Sequence, residues 1–357
     1  MKCRQPYVRD MTGASQLSTL PVQSPAPQQF GEQTEPYRRE LQVHCYRILG
    51  SLHEAEDMVQ ETMLRAWKRL DTYEGRASLR SWLYKIATNA CLDFLDSKRS
   101  RRLLPFNSLP ASDPTSAIQP PASELTWLEP FPDEWLGDES ALNPEARYTK
   151  SESISLAFLT ALQTLPPRQR AVLILRDVLD FSAIETAEVL ELTVSSVNSA
   201  LHRARVTLSN RYQASGSESS STTLVDEKTQ QLLNHFVQAW ESADVAGLVA
   251  LLKEDATFAM PPSPSWYQGP IAIGSFAAAT VFADNGMFSG KANKRWRLVR
   301  TKANAAPAFA IYQRTELNQY QAFGILLLEV NDNKLFQLVS FIDPTLPTHF
   351  GLPAILD

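Results

Sequence analysis

Between residues 51 and 102 apolar side chains recur three and four apart. Ala55, Met58, Val59, Thr62, Met63, Ala66, Trp67 and Leu70 predict one amphipathic helix; Leu79, Trp82, Leu83, Ile86, Ala87, Ala90, Cys91, Phe94 and Leu95 predict a second. Ser51 and Glu54 form a capping-box pair at the start of the first, and Ser78 is the N-cap candidate of the second. A shorter stripe, Tyr37, Leu41, Cys45, Ile48 and Leu49, completes a three-helix unit. Residues 151–213 predict a second helical unit, with the stripe Ile154, Ala157, Phe158, Ala161, Leu162 and Leu165 first. Pro167 suits a helix N1 position. A short helix over 182–190, a three-residue turn and a longer helix from Val194 then make a helix-turn-helix, with core Ile184, Ala187, Leu190, Val197, Leu201 and Ala204. Glu191 occupies a turn position where Gly would be less strained if the backbone is left-handed.

Beyond residue 226 the pattern changes. Helical stripes (Leu232, Leu233, Phe236, Val237 and Trp240; then 245–252; then 271–282) give way to strand-like runs at 296–301, 308–314, 320–330 and 335–342. The last two are joined by the hairpin sequence NDNK. Helices first and an antiparallel sheet after is an α+β order. The chain is therefore expected to be multidomain, with two all-α units and an α+β domain over 226–357. Residues 1–35 are read as a disordered tail, 103–150 as an acidic Pro-rich linker and 214–225 as a Ser-rich flexible joint.

Charge sharpens the picture. The whole chain is net −5, yet residues 65–102 carry ten Lys/Arg against four Asp/Glu. Composition leaves two readings open: a nucleic-acid contact and a solvated basic face. On the first helix Asp57, Gln60 and Glu61 share an acidic side; on the second, Arg80, Tyr84, Lys85, Thr88 and Asn89 are expected to point away from the core. The linker holds eight acids against Arg147 and Lys150. Cys45 and Cys91 fall on buried stripes and read as core thiols; no spacing suits zinc, and no cofactor is expected. No apolar run is long enough for a membrane span, and a cytoplasmic location is expected.

The stretch AEDMVQETMLRAWKRL followed by YEGRASLRSWLYKIATNACLD resembles region 2 of the extracytoplasmic-function (ECF) group of sigma-70 factors. LPPRQRAVLILRDVLDFSAIETAEVL followed by SVNSALHRARVTL resembles region 4 of the same group. The resemblance implies a transcription initiation factor that binds core RNA polymerase and is not an enzyme. Asp57, Gln60 and Glu61 would dock on the β′ clamp helices, with the linker threading the polymerase cleft and the β subunit as a further partner. Tyr73, Arg76, Ser78, Arg80, Trp82, Lys85 and Asn89, with Arg99 and Arg102 beyond, would capture the −10 element of promoter DNA as a single strand. Ser195, Ser196, Ser199, His202 and Arg203 would read the −35 element in the major groove.

The C-terminal pattern, with MPPSPSWYQGP and a late FGLP, resembles SnoaL-like domains of cone-shaped fold. Trp266, Tyr267 and Trp296 are its candidates for lining a small-ligand pocket, and Asp255 and Asp343 for acid–base work. Fold alone does not give activity. The expected role is regulation in cis; the alternatives are a cyclase or isomerase fused to a DNA-binding regulator, and a helix-turn-helix repressor.

Overall fold

The computed structural model describes residues 27–75, 77–98, 102–121, 126–137, 152–215, 227–284, 287–288 and 291–356. The N-terminal unit comprises α1 (Pro27–Thr34), α2 (Arg38–Leu49), α3 (Leu52–Lys68) and α4 (Leu79–Lys98). Ser51 caps α3 as its sequence suggests, its Oγ accepting from Glu54 N at 3.1 Å. The end of the tail expected to be disordered is a helix, α1, while residues 1–26 lie outside the described residues. Phe30 on α1 is buried with its ring centroid 5.4 Å from that of Trp67, which anchors α1 on α3.

The linker also differs from an extended spacer. β1 (Arg102–Leu103) and β2 (Thr126–Trp127) pair in parallel, and Leu128 and Phe131 are fully buried. Apolar side chains among the prolines hold it: burying each such side chain contributes about 1.5–3 kcal/mol.

The helix-turn-helix unit comprises α5 (Leu156–Gln163), α6 (Pro167–Leu173), α7 (Ala183–Leu190) and α8 (Val194–Ser215). Ser182 and Glu185 form a reciprocal capping box on α7. Glu191 has φ 54° in the turn, so a non-glycine residue does occupy a left-handed site.

The C-terminal domain begins with α9 (Glu227–Ser242) and α10 (Val245–Ala250), followed by β3 (Leu252–Ala259), β4 (Trp266–Gln268) and α11 (Gly269–Phe276). β5 (Trp296–Ala303), β6 (Ala306–Arg314), β7 (Tyr320–Asn331), β8 (Lys334–Phe341), the short helix α12 (Leu346–His349) and β9 (Ile355–Leu356) complete it. The sheet order is β4-β3-β8-β7-β6-β5, with β3 and β8 parallel and the other neighbours antiparallel. Asp332 and Asn333 both take positive φ in the β7–β8 turn, the left-handed geometry that NDNK favours. This is the helices-then-sheet architecture expected of a SnoaL-like domain.

Strand alternation gives the sheet two buried faces. Phe309, Ile311, Leu326 and Leu328 pack under α9–α11 and fill the cone. Ala308, Ala310, Tyr312, Ile325, Leu327, Val339 and Phe341 face the other way and join one continuous core with Leu49, Leu128, Phe131, Ile154 and Leu162. The outer face of the sheet is thus packed on both helical units and the linker.

Candidate nucleic-acid and polymerase interfaces

Asp57 and Gln60 on α3 are exposed and Glu61 is half-buried. They line an open groove of about 690 Å³ with Met58, Leu64, Arg65, Ala90, Asp93 and Phe94. Arg65 bridges its walls, 2.7 Å from Glu61 Oε1 and 2.9 Å from Asp93 Oδ2. The groove combines an acidic rim with an apolar floor, a surface suited to a basic helical partner.

The basic side of α4 is covered. Arg80 Nε donates to Glu40 Oε2 at 2.9 Å, and its guanidinium lies 4.7 Å from the Tyr84 ring centroid and 5.8 Å from that of Phe181. Lys85 Nζ is 3.1 Å from Glu191 Oε1, and Asn89 Nδ2 donates to Val189 O at 3.5 Å. Phe181, Val189 and Glu191 belong to the helix-turn-helix unit, so α7 and its flanking turns sit on this face. Two residues expected to point outward are buried, Tyr84 by the helix-turn-helix unit and Thr88 by α2. Tyr84 packs against Phe181 at 5.5 Å, and Thr88 shares a 2.8 Å hydrogen bond with His44 Nε2. Burial, with Arg47 and Arg80 nearby, pushes His44 down to about 3, so it is neutral here.

Tyr73 and Trp82 lie together at the start of α4, ring centroids 4.9 Å apart, and Ser78 caps the helix by accepting from Ser81 N. Arg102 is a correction. It is buried, 2.6 Å from Glu54 Oε1 and 3.7 Å from Glu129 Oε1, and it donates to Trp127 O, which fixes the linker instead of facing DNA. Arg76 and Arg99 lie outside the described residues. On α8, Ser195, Ser196, Ser199, His202 and Arg203 are all exposed on one face.

The three residues expected to line a ligand pocket do not all face the same way: Tyr267 and Trp296 belong to the core of the cone and Trp266 does not. Trp266 and Tyr267 are adjacent on a strand and face opposite ways. Trp266 Nε1 donates to Leu109 O of the linker, whereas Tyr267 stacks on Phe276 inside the cone at 4.2 Å. Trp296 packs edge-on against Phe288 and Phe323. Asp255 is exposed on β3, and Asp343 accepts from Thr345 in the turn after β8.

Sequence reasoning missed the centre of the domain junction. Asn304, in the β5–β6 turn at φ 55°, is buried. Its Nδ2 donates to Tyr46 OH and to Ile154 O, both at 2.8 Å, and its Oδ1 accepts from Phe131 N at 2.9 Å. One side chain therefore joins α2, the linker and the entry to the second helical unit. The only signal in the sequence is an Asn in a tight turn, which says nothing about its partners.

A second junction cluster surrounds His53. Its Nδ1 is 2.9 Å from Glu129 Oε2, an oxygen that also accepts from Ser51 Oγ and Leu52 N. The His349 ring lies 5.1 Å from the His53 ring, and His349 Nε2 is 3.6 Å from Glu56 Oε2. The hydrogen bond to Glu129, opposed by burial and reinforced by the charges of Glu129, Asp343 and Glu56, raises His53 above the usual imidazole value.

The sequence matches the family models of Sigma-70 region 2 over residues 34–101 and Sigma-70, region 4 over residues 155–208. It is 40% identical over 324 residues to the ECF RNA polymerase sigma factor SigG of Mycobacterium tuberculosis, covering 91% of this chain and 84% of that one. The chain belongs to the ECF RNA polymerase sigma factors. The ECF RNA polymerase sigma factor SigW of Bacillus subtilis is 28% identical over 179 residues, 50% of this chain and 86% of its own. The crystal structure of the M. tuberculosis sigma factor SigJ superposes with a TM-score of 0.53 at 19% identity, over 90% of this chain and 99% of that one. Its likeness extends the agreement in fold to the C-terminal domain. Among the described residues no helix is long and apolar enough to cross a membrane.

Proposed function

We propose that this sigma factor is held in a closed state by its own C-terminal domain, and that opening frees the −10 face for promoter melting. The observation that carries the reading is the cover on α4, where Lys85 pairs with Glu191 and Asn89 meets Val189 O. A single-stranded −10 element would need those same groups. In the open state Tyr73, Trp82, Arg80, Lys85 and Asn89 bind the −10 strand, and Ser195, Ser196, Ser199, His202 and Arg203 read the −35 element. Asp57, Gln60 and Glu61 dock on the β′ clamp helices of core polymerase. The protein acts in the cytoplasm, where its polymerase is.

The C-terminal domain supplies the closing force through the outer sheet face and Asn304. As part of the same chain it acts at an effective concentration of about millimolar, so even a modest contact is largely formed. An acid–base enzyme in this domain finds no support in the positions of Asp255 and Asp343, neither of which lies in the aromatic interior of the cone. Run-off transcription with core polymerase tests the reading. A chain ending near Ser215 should initiate more strongly than the full chain at equal folded concentration. Equal or weaker initiation would remove the inhibitory role.

A further inference from the structure

The C-terminal domain segregates its charge. Residues 285–315 carry seven Lys/Arg and no Asp/Glu, while the rest of 227–357 carries three Lys/Arg against eleven Asp/Glu. A face evolved only for solvation would mix the signs; separation on this scale builds a field that selects a partner. Arg295 is internal, donating to Val281 O and Ala283 O. Lys291, Lys294, Arg297, Arg300, Lys302 and Arg314 are exposed, and none forms an ion pair with another described residue.

Four of these cations lie on or just before β5, the end strand of the sheet path, which pairs with β6 on one side. On its other side Leu298 N donates to Glu241 Oε1, Ala303 bridges to Pro132, and Arg300 donates to Gln230 and Asn234, which leaves Lys294, Arg297 and Lys302 as the cations without a side-chain acceptor among the described residues. Eight residues of strand span about 26 Å. B-DNA presents one phosphate charge per about 1.7 Å of axis, so several phosphates fall within that reach. The strand also ends at a telling place. The β5–β6 turn holds Asn304, the residue that touches the linker and both helical units at once. The basic edge therefore runs outward from the point where the two DNA-reading units meet.

We propose that the β5 edge of the C-terminal domain is a third DNA contact of this sigma factor, which binds the phosphate backbone of promoter DNA without reading bases. The proposal rests on the reading of the chain as an initiation factor and adds a role for the domain after opening. Lys and Arg on an edge strand can follow a backbone, and phosphate contacts position a protein without carrying sequence information.

The test is equilibrium binding of full-length holoenzyme to a promoter fragment over a range of salt. Lys294→Gln, Arg297→Gln and Lys302→Gln combined should make the log K against log salt slope shallower by about 2–3, since each lost phosphate contact removes about 0.9. The loss should be equal on promoters of different sequence. Lys228→Gln, on α9, should leave the slope alone, and Arg297→Lys should keep it because the charge is retained. An unchanged slope in the triple variant, with normal binding by the parent, would overturn the proposal. So would a defect confined to affinity for core polymerase, which would assign the edge to an acidic protein surface. Failure of the parent holoenzyme to bind any promoter would instead contradict the initiation-factor reading, and the proposal with it.

Discussion

Asn304→Ala should open the molecule. The side chain satisfies Phe131 N through Oδ1 and Ile154 O through Nδ2, and both partners are on buried segments. Tyr46 OH keeps its bond to Glu129 O at 2.6 Å and so loses little. Each buried group left without a partner costs about 1–3 kcal/mol. Two such groups weaken closure by about 2–6 kcal/mol, which at about 1.4 kcal/mol per factor of ten multiplies the open-to-closed ratio by roughly 30 or more. Asn304→Asp should fall between, since it can still accept from Phe131 N but cannot donate to Ile154 O. Energy transfer between dyes on α4 and α8 of the full chain reads the distance directly. A large loss of transfer in Asn304→Ala, with the cone's own melting temperature retained, is the expected outcome. Unchanged transfer would mean that the apolar sheet face alone holds the units together and that the polar junction is incidental.

Arg203→Ala should weaken promoter binding by about 1–3 kcal/mol with an altered base preference at the −35 element, measured by fragment binding. Arg102→Ala should behave differently: removing the buried partner of Glu54 should cost about 3 kcal/mol and lower the melting temperature. Reversing charge at Asp57 and Glu61 together should abolish capture of core polymerase with helical content unchanged; capture at the parental level would refute the docking groove. Closure should also depend on pH. His53 is raised when its Glu129 contact is made, so its contribution is complete below about 6.5 and is lost as pH rises through the higher, closed-state value. Glu56, Glu129, Asp343, Arg102 and His349 surround it, and a neutral His53 leaves the carboxylates in excess. Energy transfer in the full chain should therefore fall as pH rises above about 6.5, and His53→Gln should flatten that response.

Most of the helices, the helix-turn-helix and strands β5–β8 were legible because each is written in a local period that burial enforces. Ser51, Ser78 and Glu191 were likewise readable, since capping and left-handed turns are decided within four residues. The exposed polar face of α8 was legible too, because no acid or large apolar side chain interrupts it from Ser195 to Arg203. What escaped was set by contacts distant in sequence. Tyr84 and Thr88 lie on the polar side of α4, and only the arrival of Phe181 and the packing of His44 bury them. Arg102 sits in a basic run, yet Glu54 and Glu129 claim it. Trp266 and Tyr267 were grouped as one pocket although the two-residue period of a strand must send them to opposite faces. β3 was hidden because LKEDATFA does not alternate: Glu254 and Asp255 are both exposed, whereas Ala256, Phe258 and Ala259 are buried.

The central claim is that the chain must open before it can initiate. Cysteines at positions 85 and 191, joined by a short bis-maleimide in the full-length protein, would hold α4 against the turn after α7. The joined protein should still be captured by core polymerase through the open α3 groove but should give no run-off transcript, and the same double variant left unjoined should transcribe. Full run-off activity from the joined protein would contradict the account.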